Sequence, residues 1–381
     1  MNALTPPSRR RWLQALAALA ATPWPAAGAA AASVQRGRVL NFPADHGAHL
    51  AARTEWWYAT GWLGSEAAPT HGFQITFFRS RTFLADDNPS RFAARQLLFA
   101  HAAVTDIGTG RHAHDQRLQR WNGQPGAATG HASTTQGAVQ LGGWTIDDDG
   151  RGWRVRTHMR PTPARADSVP LPGSPLALDL YLARTQPLLL QGEAGWSRKG
   201  PEPQQASHYY SEVQLQAGGT VHLGERPATG RGRAWMDHEW SDEILAADAV
   251  GWDWIGINLF DGSALTAFVL RRADGSALWA GGSHRPAGGA VRAFGPTEVR
   301  FSAGRRWRSP ATAASYPVQW QISSPAGVYT VNALVDAQEL DSRNSSGTVY
   351  WEGLSELLDS QGRRVGLGYL EMTGYAQRLK L

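Results

Sequence analysis

The chain has 381 residues, with 42 Gly, 22 Pro, 17 Trp and no Cys. Apolar residues make up 42% and charged residues 18%, which is enough material for packed cores and too little charge for a disordered chain. The lack of Cys excludes a disulfide scaffold, a Cys-ligated zinc site and a thiol nucleophile, and the net charge of +5 falls to about +2 once Arg9, Arg10 and Arg11 are set aside, which gives no warrant for nucleic-acid binding.

The first segment reads as a leader. Arg9, Arg10 and Arg11 precede the apolar stretch from Ala15 to Ala21, and small residues run to Ala32. A basic start, a short apolar stretch and an A-x-A cut make a secretory signal, and the paired arginines give it a twin-arginine character. A signal peptide over 1–32 predicts export to the periplasm. Pro23 and Pro25 interrupt the stretch, so it is a poor membrane anchor. Loss of its three arginines takes the formal charge from +5 to +2.

Beyond the leader, strand alternation recurs and helical periodicity is nearly absent. Phe73, Ile75 and Phe77 alternate with Gln74 and Thr76, and Leu176 to Leu182 repeats the pattern. Ile255, Ile257 and Leu259 form a third run, and Val318, Trp320 and Ile322 a fourth. Asp149-Gly150, Asp261-Gly262, Asp274-Gly275 and Gln361-Gly362 are turn signals between such runs. Many short antiparallel strands indicate an all-β sandwich or barrel. The large number of Trp favours barrels, whose lumen and mouth take bulky rings more readily than a thin sandwich does.

The length suggests two domains. Trp56-Trp57-Tyr58 and Trp252-Asp253-Trp254 each open a strand whose hairpin partner ends in Arg, at Arg79 and Arg271. Two related barrels explain this echo. The Gly-, Arg- and Pro-rich stretch from Gly224 to Arg233 is the expected junction, with domains at 33–230 and 231–381. Pro161–Pro175 and Pro201–Gln205 are expected loops.

The densest chemical segment is Trp235-Met236-Asp237-His238-Glu239-Trp240. On a strand, Trp235, Asp237 and Glu239 share one face, and Met236, His238 and Trp240 the other. Either face sets an ionisable group beside an indole, where a carboxyl holds its proton and serves as a general acid. The competing reading is a salt-bridged structural corner. Trp252 and Trp254 share a face opposite Asp253, and Glu55 shares a face with Trp57. A buried Glu55 requires a cation, for which Arg79 and Arg271 are the candidates. Glu352 and Glu371 read first as structural groups at strand ends. His112 and His114 form a histidine pair without a third ligand, so no metal site is expected. No nucleophile elbow, zinc-protease helix or dinucleotide fingerprint occurs.

In order along the chain, Glu55-Trp56-Trp57-Tyr58, Trp235 to Trp240, Gly251-Trp252-Asp253-Trp254, Tyr350-Trp351-Glu352-Gly353 and Gly368 to Tyr375 form a set. That set resembles the AttH-like and carotenoid 1,2-hydratase (hydroxyneurosporene synthase) family. The resemblance implies two tandem lipocalin-like antiparallel β-barrels, a hydrophobic isoprenoid or lipid-like ligand, and no cofactor. It also implies an envelope role, with an ABC-type transporter as partner. The hydratase members add water to an isoprenoid double bond, which takes an acid, an aromatic face for the cation and a base. On that resemblance, Asp237, His238, Glu239 and Asp253 are the expected catalytic residues. Trp57, Trp235, Trp240, Trp252 and Trp254 are the expected ligand contacts, and Glu55, Glu352 and Glu371 the supporting acids. The stretch from Leu265 to Leu270 carries no phenol and no acid, which sets this chain nearer the broad secreted branch. A non-catalytic periplasmic lipid carrier or chaperone is the alternative.

Overall fold

All four alternating runs form antiparallel strands in the computed structural model, at Pro69–Arg81, Leu176–Ala183, Gly251–Leu259 and Gln319–Ser324. The structure describes residues 33–84, 86–88, 90, 92–124, 130–160, 175–243 and 245–379. The leader expected over 1–32 and most of the expected loop at 161–175 lie outside the described residues. The turn signals sit between paired strands as their φ > 0 chemistry requires; Gly262, for instance, has φ 88°.

The protein is all-β and carries two tandem lipocalin-like barrels. In the first sheet, strands Arg111–Trp121, Gln96–Asp106, Pro69–Arg81 and Thr54–Gly64 pair in reverse chain order. Pro227–Ser241 then returns to pair with Thr54–Gly64, followed by Ala206–Leu223 and Leu176–Ala183. The second sheet repeats the device. Ala277–Arg285, Ala264–Arg271 and Gly251–Leu259 run in reverse order, and Arg364–Met372 returns to pair with Gly251–Leu259.

This topology corrects the expected boundary at 230/231. Pro227–Ser241 is one continuous strand that pairs with Thr54–Gly64 through its whole second half, so it belongs to the first barrel. The Gly- and Arg-rich stretch is the exposed start of that strand and not a linker. The chain crosses to the second barrel between Ser241 and Gly251. Ser33–Leu381 form one compact unit.

Where the barrels meet, their strands have no solvent face. Trp57, Ala59 and Leu63 fill the first barrel, while Tyr58 and Trp62 on the same strand pack between the barrels. Ile255 and Ile257 fill the second barrel, and Trp254 packs outward against Trp235 and Tyr58. Gly256 is required by this packing, because a Cβ there would stand 2.3 Å from the Trp254 ring. A bulge between Glu212 and Leu215 turns Gln214 out of register, with φ 57°. Its backbone N–H donates to Asn258 Oδ1 at 2.8 Å, and its Nε2 donates to the carbonyls of Leu259 and Ser263, which welds the barrels.

Candidate functional site

Period-two alternation sends the acids of Pro227–Ser241 to opposite environments. Asp237 and Glu239 face the seam between the barrels, and His238 faces the lumen of the first. The seam encloses a cavity of about 270 Å³. Trp56, Tyr58, Tyr209, Asp237 and Glu239 line it from the first barrel, and Trp252, Trp254, Phe268, Glu352 and Glu371 from the second.

Asp237 is buried and holds three donors. Ser211 Oγ donates to Oδ1 at 2.5 Å, the Trp235 indole N–H to Oδ1 at 2.7 Å, and Tyr209 OH to Oδ2 at 2.8 Å. Burial pushes its carboxyl up to about 7, against the pull of those three hydrogen bonds. Glu371 lies across the cavity and is half-buried. Burial pushes it up to about 8; a hydrogen bond from Trp252 opposes this, and the charges of Asp237, Glu239 and Asp253 add to it. Glu352 stands directly opposite Glu371 on the neighbouring strand and is raised well above the carboxylate range by burial and by Glu371. Glu239 differs from these acids. Lys199 Nζ lies 2.9 Å from its Oε1, and Ser207 donates to the same oxygen. The ammonium sits over the rings of Tyr209 and Phe268 at 4.6 and 4.3 Å.

His238 stacks on Trp57 inside the first barrel, with its Nε2 2.9 Å from Glu55 Oε1. Glu55 is the hub of a closed ion cluster. Arg79 Nε donates to its Oε2 at 2.7 Å, and His49 gives its backbone N–H and Nδ1. Burial alone would raise Glu55, but Arg79, His49 and His238 together hold it well below the carboxylate range. His49 is raised despite burial, because Glu55 and Asp45 flank its two ring nitrogens at 2.7 and 2.9 Å. Arg79 spends its remaining donors on Gln96 and on the carbonyls of His49 and Ala52, which pins the N-terminal segment to the barrel. Trp240 stacks flat on His49 at 3.6 Å.

His49, Glu55 and His238 place ligand-type atoms within 4.8 Å of one another. Their chemistry is that of a hydrogen-bonded cluster: both rings donate to a carboxylate whose other lone pairs serve Arg79 and the His49 backbone. His112 and His114 lie on strand Arg111–Trp121 and are engaged by Thr105 and by the Asp341 backbone N–H.

The structure thus divides the expected residues. Asp237, Glu239, Trp252 and Trp254 line the cavity, and Trp235 holds Asp237. His238, Trp57 and Trp240 serve the first barrel's interior. Asp253 points into the second barrel, where Arg271 Nε lies 2.7 Å from Oδ2 and Tyr375 donates to Oδ1. Burial still lifts it to about 6. Glu352 and Glu371 are cavity acids and not strand-end supports. Sequence reading missed Trp56 and Tyr58, which the alternation around Trp57 could have supplied. It also missed Tyr209, Phe268 and Lys199; Lys199 is one of only two lysines in the chain.

Two measurements check these assignments. Glu55→Gln leaves Arg79 as an uncompensated buried charge, so denaturant unfolding should show a loss of about 3–5 kcal/mol; a loss below about 1 kcal/mol contradicts the cluster. An acid that holds its proton more tightly when folded stabilises the fold fully below its unfolded value and loses that contribution as pH rises through its folded value. For Glu371 that window runs from 4.5 to about 8. Glu371→Gln should therefore match wild type in Tm at about pH 4.5 and exceed it by several degrees at about pH 8.5. Equal pH slopes contradict the assignment.

Comparisons with known proteins show the family and the fold. The AttH-like family model matches residues 33–375. A solved AttH assignment from Nitrosomonas europaea is 42% identical, with a TM-score of 0.79, over 90% of this chain and 98% of that one. Kievitone hydratase from Nectria haematococca shares the fold at 13% identity and a TM-score of 0.61, over 89% of this chain and 94% of that one. No curated protein sequence matches the chain.

Proposed function

The chain belongs to the AttH-like family, and from that premise we propose that it is a cofactor-free hydratase acting on an apolar, isoprenoid-like alkene in the inter-barrel cavity. One observation carries this reading: carboxyls that keep their protons near neutral pH face an aromatic cavity. The same fold serves a hydratase in Nectria haematococca. Residues 1–32 are read as the leader that takes the chain to the periplasm, where an envelope transporter is the proposed source of ligand.

The cavity's groups divide the work. Glu371, higher than Asp237 and more open to the cavity, gives its proton to the less substituted carbon of the alkene. The C=C π pair forms the new C–H bond and leaves a tertiary cation. The rings of Trp252, Trp254, Trp56 and Phe268 hold that cation, a contribution of about 2 kcal/mol in a desolvated site. A water oxygen adds to the cation, and ionised Asp237 takes the proton it releases. Asp237 then returns a proton to Glu371, so the cycle consumes only water and alkene. Two acids with separated proton affinities make this possible, since one stays charged while the other is neutral. Tyr209 OH lies between Asp237 Oδ2 and the Trp254 indole N–H, 2.8 Å from the former and 3.2 Å from the latter, which fixes the base against the cation site.

The test is turnover of terminal isoprenoid alkenes in ¹⁸O-water, read by mass spectrometry. Wild type should form the one-water adduct with the label. Its kcat/KM should rise as Asp237 ionises near 7 and fall as Glu371 ionises near 8. Glu371→Gln should lower kcat by about 10²-fold or more, with ligand affinity by Trp fluorescence nearly unchanged. Unaltered turnover in Glu371→Gln refutes the acid assignment. Ligand recovered unmodified from every alkene tested refutes the hydratase and leaves a carrier.

A further inference from the structure

The catalytic reading uses one wall of the cavity and leaves another unexplained. Tyr58 OH, Gln74 Oε1 and Glu352 Oε1 are buried and have no hydrogen-bond partner. Tyr58 is 6% exposed, Glu352 3% and Gln74 1%. Orphaned polar atoms of this kind are rare in a folded interior. Here three stand together. Tyr58 and Gln74 both act on Glu352, favouring its charged form against the larger effects of burial and Glu371. Tyr58 and Glu352 line the cavity, and Gln74 stands behind Thr76, to which its Nε2 donates at 2.9 Å.

We propose that Tyr58, Gln74 and Glu352 form a polar subsite of the inter-barrel cavity that receives one uncharged hydroxyl oxygen. This rests on the cavity being the ligand site, but it does not require catalysis. The donor count selects the group. Gln74 Nε2 gives one of its two N–H groups to Thr76, while its Oε1 has no partner and must be given a hydrogen. Tyr58 has one O–H to give. A hydroxyl donates to Gln74 Oε1 while accepting from Tyr58, and Glu352 closes the third side. A carboxylate ligand would meet Gln74 Oε1 and the paired acids Glu352 and Glu371, so anions are excluded. An ether accepts but cannot donate, and leaves Gln74 unmet. The oxygen has two sources: an alcohol carried by the ligand, or the water that adds to an alkene. Both are one oxygen at one position, because the added water becomes the product's hydroxyl.

The experiment compares geraniol, its methyl ether, its amine and geranate by Trp fluorescence titration, then crystallises the protein with geraniol and with the hydrocarbon myrcene. Wild type should bind geraniol about tenfold tighter than the ether, and geranate least. Tyr58→Phe should weaken alcohol and ether alike, and Gln74→Met should erase the preference for alcohol while leaving ether affinity unchanged. Glu352→Gln, the conservative variant, should keep most of that preference. An alcohol oxygen within hydrogen-bond distance of Tyr58, Gln74 and Glu352 identifies the ligand as the source; a water there beside myrcene identifies the water. Tighter binding of the amine than of the alcohol overturns the proposal in favour of a cation site. Equal affinities with no oxygen at that position also overturn it. Leu97 lines the cavity and is half-buried, so Leu97→Trp separates the two readings. If it leaves all affinities unchanged, the probes bind elsewhere and the cavity reading fails. If it weakens them equally and wild type does not discriminate, the subsite alone fails.

Discussion

The structure depends on strands that are buried on both faces. Where two barrels pack wall to wall, each interface strand sends one side-chain set into its own lumen and the next set into the seam. Alternation then becomes a chemical sorting device. A carboxyl sent into a lumen must find a cation, as Glu55 and Asp253 do in Arg79 and Arg271. Carboxyls sent into the seam meet rings, hydroxyls and one another, and the lysine and arginine among the described lining residues, Lys199 and Arg79, are already paired with Glu239 and Glu55. Burial without a matching cation keeps protons on Asp237, Glu352 and Glu371. The unusual acidity of the cavity therefore follows from how the barrels dock.

The two barrels divide their acids alike because they are built alike. Each begins with a strand carrying an inward acid beside an outward tryptophan, and each answers it with an arginine near the end of the second strand. In the first barrel this pair also captures the N-terminal segment through His49 and Ala52, which closes a polar network inside the lumen. In the second, Tyr375 plays the closing part by donating to Asp253 while lying under Arg271 at 4.0 Å. These clusters stabilise the walls. The seam carries the strain of neutralised acids and orphaned oxygens, the usual mark of a site whose chemistry outranks its stability.

Much of this was legible in the sequence. Alternation located the strands, the Asp-Gly and Gln-Gly pairs located the turns, and the ordered motifs pointed to tandem lipocalin-like barrels. The two faces of Trp235 to Trp240 were separated correctly, yet nothing in one strand says which face looks into its own barrel. That is why His238, Trp57 and Trp240 shared the expected site with Asp237 and Glu239, although they serve the first lumen. Glu352 and Glu371 were placed among the supports because their partners across the seam are more than a hundred residues away in the chain. The junction was misplaced because the Gly- and Arg-rich start of Pro227–Ser241 has loop composition, while sheet closure requires that strand in the first barrel.

The central claim is that the seam holds carboxyls that stay protonated near neutral pH. Carboxyl-selective carbon NMR of the protein labelled at Asp and Glu side chains tests it directly. The account predicts a glutamate titrating near 8 and an aspartate near 7, the first lost in Glu371→Gln and the second in Asp237→Asn, with Glu352 also raised well above the carboxylate range. Every carboxyl titrating below about 5, as ordinary exposed acids do, would contradict it.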